Sequence, residues 1–359
     1  MSSEQPDRSG PAIFLVLLAM AALVAVAWGV AHPRVAEQPR SVPAEPSLAA
    51  SEVPTPAQTG TPTPLPRPST PDVSPTPPPG ASEPPVVVPP SPDPAPVGET
   101  LPGGRYRVFA GNQFLVAYYG TAGTGALGVL GETSPEQMQR RLARAARPFA
   151  QPGQPIQPVY ELIVTVADRG PGPDGDYSHD IDHDAVRRYV NAAHRHGALL
   201  LLDIQPGRSD FLDVAKRWEW ALRYPNVGLA LDPEWRVGRR QVPAGVIGSV
   251  GAAEVNRVSA WLSDLTVSND LPEKLFVLHQ FRTAMVDHIE RVLGRPRLAM
   301  VQHVDGFGTR AQKLATYAAV SRPQQFAMGF KLSYDEDVNR MGPTEIHRIS
   351  PRVRFVSFQ

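Results

Sequence analysis

The chain has 359 residues, 35 basic and 35 acidic side chains, and no cysteine. A formal net charge of zero argues against a nucleic-acid partner, which needs a concentrated basic surface. Without cysteine there are no disulfides, thiolate metal sites, cysteine nucleophiles or lipid attachment through an N-terminal cysteine, so an exported domain would depend on its core alone.

Residues 1–10 read as a short cytoplasmic tail. Ile13 to Val30 is uncharged and rich in Leu, Ala and Val, long enough to cross a bilayer core. Residues 11–31 are therefore expected to be an uncleaved transmembrane signal anchor. Cleavage after Ala31 is the alternative, and would release a secreted domain. Residues 32–102 hold over half of the 41 prolines, among Ser, Thr, Ala and Val. Proline removes backbone donors and fixes φ, so this stretch is expected to be a disordered or polyproline II linker. Fully extended, it would reach on the order of 200 Å from the membrane. That length suits a stalk holding residues 103–359 outside the cell.

After the linker, short apolar runs alternate with amphipathic segments. Strands are predicted at 114–120, 159–167, 198–205, 227–234, 274–281, 298–305, 326–334 and 352–359. Helices are predicted at 135–149 (capped by Ser134), 185–196, 211–223, 252–265, 284–293 and 310–320, with a weak one at 344–348. Eight such units in roughly 250 residues predict a single α/β domain, a (β/α)8 barrel lacking a C-terminal eighth helix. Strand four should turn Gly228, Ala230, Asp232 and Glu234 to the axis, and strand seven Ala327, Gly329, Lys331 and Ser333. The seam beside strand one is expected to be covered by residues 104–112.

Gly123, Gly125 and Gly128 match GxGxxG, but Gly131 and Pro135 separate them from the following helix. A loop at the barrel mouth is the better reading than a dinucleotide site. In the loop 176–184, Asp182 or Asp184 is read as the cap of the second helix. No cofactor and no metal ligand set is assigned, and a monomer is expected.

The predicted C-terminal strand ends carry Tyr119, Asp168, Asp203, Asp232, Glu234, His279, His303, Asp305, Lys331 and Tyr334. Barrel enzymes draw catalytic residues from these ends. Asp232 and Glu234, two apart, should share a face, and adjacent carboxylates raise one another's proton affinity. Such a pair suits glycoside hydrolysis, with Glu234 as general acid and Asp232 as its partner. Trp235 offers a plane for a sugar ring. Tyr119, Asp203, His279, His303, Asp305, Lys331 and Tyr334 are the remaining candidate substrate-binding residues. For Lys331, pairing with Asp232 is the purely structural reading.

Leu231-Asp232-Pro233-Glu234-Trp235 resembles the end of the strand-four DxxDxDxE motif of family 18 glycosidases, the chitinases and their relatives. The resemblance implies a barrel in which Glu234 is the acid and Asp232 orients an N-acetyl group of the substrate. Asp305 lies where that family carries a Tyr-Asp pair. Val227 and Ala230 stand at the motif's first two acidic positions, and Val304 replaces the tyrosine. The expected substrate is a cell-envelope polysaccharide. The alternatives are a metal-dependent hydrolase using the His and Asp residues of the mouth, Schiff-base chemistry at Lys331, and a non-catalytic glycan-binding barrel.

Overall fold

A computed structural model of the chain describes residues 99–359. The expected anchor, and the linker up to residue 98, lie outside the described residues. Among those described, no helix is long and apolar enough to cross a membrane.

Eight strands form one closed parallel barrel, the TIM-like α/β fold. They are β1 (Phe114–Gly120), β2 (Ile156–Ala167), β3 (Leu199–Ile204), β4 (Val227–Leu231), β5 (Lys274–Gln280), β6 (Leu298–Val304), β7 (Ala327–Leu332) and β8 (Val353–Phe358). Each pairs in parallel with the next, and β8 closes on β1 with Phe355 opposite Leu115. Closure leaves no sheet edge among these strands.

Side chains alternate between two cores. Leu115, Ala117, Val159, Leu199, Leu201, Ala230, Leu275, Val277, Ala299, Val301 and Phe355 fill the axis. Their neighbours in sequence, such as Val116, Leu200, Leu229, Phe276 and Phe330, pack under the outer helices. The division expected for β4 and β7 holds: Ala230 and Ala327 face the axis, whereas Leu229, Leu231, Met328 and Phe330 face outward. At Gly228 an added Cβ would lie 2.2 Å from the carbonyl oxygen of Leu275, so the backbone of β4 approaches β5 more closely than any side chain allows.

The outer helices follow their caps. Helix α1 (Pro135–Ala146) starts with Ser134 accepting from the Gln137 amide. Helix α2 (His183–His196) is capped by Asp182 and ends on left-handed Gly197. The third expected helix is broken into α3 (Phe211–Arg217) and α4 (Glu219–Leu222). Trp218 interrupts it, fully buried, with its indole N–H donating to Thr165 Oγ1 at 2.9 Å. Helices α5 (Ala252–Ser268), α6 (Arg310–Val320) and the one-turn α7 (Pro343–Ile346) complete the shell.

Two expectations are corrected. Residues 284–293 form no α-helix: 3-10 turns at Thr283–Met285 and Ile289–Arg291 flank Val286–Asp287, which pairs with Val250–Gly251. His288 takes a left-handed conformation there, which ends any helical run. The segment still buries Met285, Val286, Ile289 and Val292, so its apolar spacing reports burial and not helicity. Residues 104–112 do not cover the seam. Leu101, Val108 and Phe109 pack into the axial core, closing the barrel at its N-terminal end. The outer face of β1 and β8 is covered instead by Phe149 and His347, packed against Phe114 and Phe358.

Candidate active site

The alternation that fills the lower axis with Leu and Val changes chemistry toward the C-terminal ends. The next axial positions are Tyr119 on β1, Glu161 on β2, Asp203 on β3, His279 on β5, His303 on β6, Lys331 on β7 and Ser357 on β8. Registers align them: Tyr119 stands opposite Glu161, His279 opposite His303, and Lys331 opposite Ser357. Asp232 and Asp305 follow directly after β4 and β6. Gly329 makes the packing possible, because a Cβ there would meet His303 Cδ2 at 2.5 Å.

Asp305 is the hub. Its Oδ2 accepts from His279 Nδ1 at 2.6 Å and lies 3.3 Å from Lys331 Nζ, while its Oδ1 accepts from His303 Nδ1. Burial alone would raise its proton affinity, but His279, Lys331 and His303 outweigh that and hold it well below the usual carboxylate range. His303 is lowered by burial. As a neutral ring with its Nδ1 proton on Asp305, it accepts from Ser357 Oγ at Nε2, at 3.2 Å. Burial pushes His279 down, but Asp305, Glu161 and Asp203 lift it well above its ordinary value. Lys331 pairs with Asp305 rather than Asp232, and its ammonium sits 4.2 Å from the centre of the Tyr119 ring.

The remaining acids are less well served. Asp203 and Asp232 are both buried and raised well above the usual range by burial, then by the neighbouring charges of Asp232 and Glu234 respectively. Asp232 Oδ2 accepts from the Tyr119 hydroxyl at 3.4 Å, and its Oδ1 has no partner. Strand β4 ends at Leu231, and Pro233–Trp235 is a 3-10 turn. Glu234 therefore joins the cluster through a turn and not by strand alternation, and it remains partly exposed. Burial, reinforced by Asp305 and opposed by Lys331, pushes it up to about 7.

Glu161, fully buried at the centre of the cluster, escaped the sequence reading. It lies in mid-strand, because β2 runs on to Ala167. Its signal was a charge at the same alternation as axial Val159. Gln205, whose side-chain amide donates to the Tyr119 hydroxyl at 3.4 Å, and Ser357 were missed too.

Three expected residues are not brought in. Trp235 is 7 % exposed and packs with Ala244 in a separate small apolar cluster, leaving no open face for a sugar. Tyr334 is exposed, stacked on Phe358 and edge-on to Tyr118, both outward-facing side chains. Asp168, just after β2, pairs with exposed His179 on the short strand Ser178–Asp180, which runs antiparallel to the end of β2. The Gly123–Gly128 stretch leads into a single 3-10 turn at Val129–Glu132, and no α-helix begins before Pro135, as expected of a loop.

Among the described residues, two trios bring potential metal-ligand atoms together: His279, His303 and Asp305, and Glu161, Asp203 and His279. In the first trio the ligand atoms are already hydrogen-bonded to one another. No protein-family model matches the chain, and no curated protein is similar enough to it to be called a relative.

Proposed function

We propose that the barrel hydrolyses a cell-envelope polysaccharide, with Glu234 as general acid and Asp232 as its partner. The observation that carries this reading is Glu234 itself. It is a partly exposed carboxyl above a buried cluster of acids, and burial pushes it up to about 7, so that it keeps a proton toward neutrality. A general acid works best with such a proton affinity. Glu234 delivers its proton to the glycosidic oxygen as the bond to the anomeric carbon breaks; water then adds to that carbon and gives up a proton that restores the acid. Asp232, held by the Tyr119 hydroxyl, orients the sugar at the reacting bond and turns the lone pairs of its carboxyl group toward the positive charge that develops there. The resemblance to family 18 glycosidases adds the role of orienting an N-acetyl group to Asp232. Residues 11–31 and the Pro-rich stretch would display this domain, as a monomer, on the outer side of the cell membrane.

The test is release of reducing ends from wall glycans, both N-acetylated and neutral, by the wild type and by Glu234→Gln. Loss of turnover by about 10²–10⁴-fold with thermal stability not lowered supports the assignment. Equal turnover by the variant sinks it. Binding without turnover across the panel replaces it with a glycan-binding barrel.

A further inference from the structure

We propose that Glu161, Asp203 and His279 form a binding site for one divalent first-row transition-metal ion, of which Zn²⁺ is the natural probe. This goes beyond the glycosidase reading and does not depend on it.

Orphaned atoms are the starting point. Both carboxylate oxygens of Glu161, both of Asp203, and Nε2 of His279 lack hydrogen-bond partners. The three residues are 0 %, 0 % and 1 % exposed. A buried carboxyl group without a hydrogen-bond partner is costly in either protonation state, and here two face the same point.

The geometry at that point suits a cation better than a proton. His279 Nε2 lies 3.2 Å from Glu161 Oε1 and 3.4 Å from Asp203 Oδ2. Neither oxygen is placed to accept an Nε2–H hydrogen bond. An imidazolium would direct its proton at one of them. Two ligand bonds of about 2.0–2.1 Å meeting at a tetrahedral angle place their donor atoms roughly 3.3–3.4 Å apart. The spacings seen, 3.2 and 3.4 Å, are within about 0.1 Å of these, and all three donor atoms lie within 4.8 Å of one another.

Support comes from behind His279. Its Nδ1 donates to Asp305 at 2.6 Å, so that release of the Nε2 proton on metal binding turns a lone pair toward the two acids. A ligating histidine is usually held in this way, with a carboxylate on its far nitrogen. Asp305 is in turn held by His303 and Lys331. One imidazole with two carboxylates is a mixed nitrogen and oxygen set, suited to Zn²⁺ or Mn²⁺ more than to the all-oxygen preferences of Ca²⁺ and Mg²⁺. Three protein ligands leave further coordination positions open, as in sites where the ion also takes a water molecule.

The experiment uses the purified chain, stripped with a chelator and titrated with Zn²⁺ by calorimetry, with Co²⁺ absorption as a second readout. The expected result is one equivalent bound, a rise in thermal midpoint, and a Co²⁺ spectrum with the strong visible bands of a four- or five-coordinate ion. Glu161→Gln and Asp203→Asn should weaken Zn²⁺ binding by at least about 100-fold, and Asp305→Asn by about 10–100-fold. Glu234→Gln should bind Zn²⁺ as the wild type does, so this inference and the glycosidase reading can fail separately. No binding by the wild type at micromolar Zn²⁺ overturns the proposal. So does unchanged affinity in both Glu161→Gln and Asp203→Asn. If those variants do not fold, the stoichiometry and Co²⁺ spectrum of the wild type decide: a weak octahedral spectrum or no defined stoichiometry overturns it.

Discussion

The two ends of the barrel axis are buried alike but built on opposite principles. At the N-terminal end, Leu101 and Val108 close a stack of Leu, Val and Ala, and every charge named there has a partner. Lys274, lowered by burial to about 7, donates to the carbonyls of Tyr224 and Val227, both at 2.9 Å. Glu273 accepts from the Val108 amide. At the other end Lys331 is the permanent cation facing Glu161, Asp203, Asp232, Glu234 and Asp305. Several polar atoms there find no partner. Desolvated charge without compensation is destabilising, so its concentration at one end marks that end as functional and the other as structural.

The sharpest way to break this contrast is Lys331→Met. Removing one partner of a buried ion pair leaves its carboxylates facing one another, and the expected loss is about 3–5 kcal/mol, read from chemical denaturation. Unchanged stability would mean that His279 and His303 hold Asp305 without Lys331, and the charged end would lose its special status.

The next test is pH. Glu234 is raised from 4.5 to about 7, so between these values the folded chain holds a proton that the unfolded chain has released. Its contribution to stability is fully present below about 4.5, is lost as pH rises toward 7, and changes no further above that. The total is up to about 3 kcal/mol. Asp203 and Asp232 tilt the profile the same way, so the comparison is with Glu234→Gln, whose stability should fall less between pH 4.5 and 7. Activity should fall above pH 7 as the acid form disappears. Parallel stability profiles for wild type and variant would remove Glu234 from the cluster.

The contrast between the ends was half legible in the sequence. Alternating apolar runs place the strands because parity decides burial on both faces of a barrel, and Asp203, His279, His303 and Lys331 follow from that parity. It fails where the strand stops. Beyond Leu231 the backbone turns, so Glu234 reaches the cluster through a 3-10 turn, whereas Tyr334 and Trp235 keep the outward parity of Leu332 and Leu231, which nearness to a strand end conceals. Parity also conceals what it does not terminate: Glu161 sits mid-strand because β2 is long. Residues 284–293 show a different failure. Their apolar spacing suits a helix, but pairing of Val286 with Val250 is a long-range contact that no local pattern announces.

A smaller effect sharpens the contrast within the charged end. Gly329→Ala would press a methyl group against the His303 ring, costing about 1–3 kcal/mol. The His303 to Asp305 contact should loosen with it, seen as a shift in the histidine ring resonances.

The least effect is expected from Glu273→Gln at the structural end. The Glu273 carboxylate accepts from the Val108 amide at 2.7 Å, and the Glu273 amide donates to Tyr106 O at 2.9 Å. Together these contacts tie residues 101–109 to β5. Glutamine keeps the shape and one acceptor oxygen, losing only the charge assistance of a single bond. Burial raises the proton affinity of Glu273, so the charge was itself opposed by its surroundings, and losing it is partly offset. The net cost should be about 1 kcal/mol, visible as a small drop in the thermal midpoint. Turnover and Zn²⁺ affinity should not change, because the stack of Leu115, Leu201, Val277 and Val301 lies between. If either changes by tenfold, the axial core transmits strain from end to end, and the two ends are one mechanical unit.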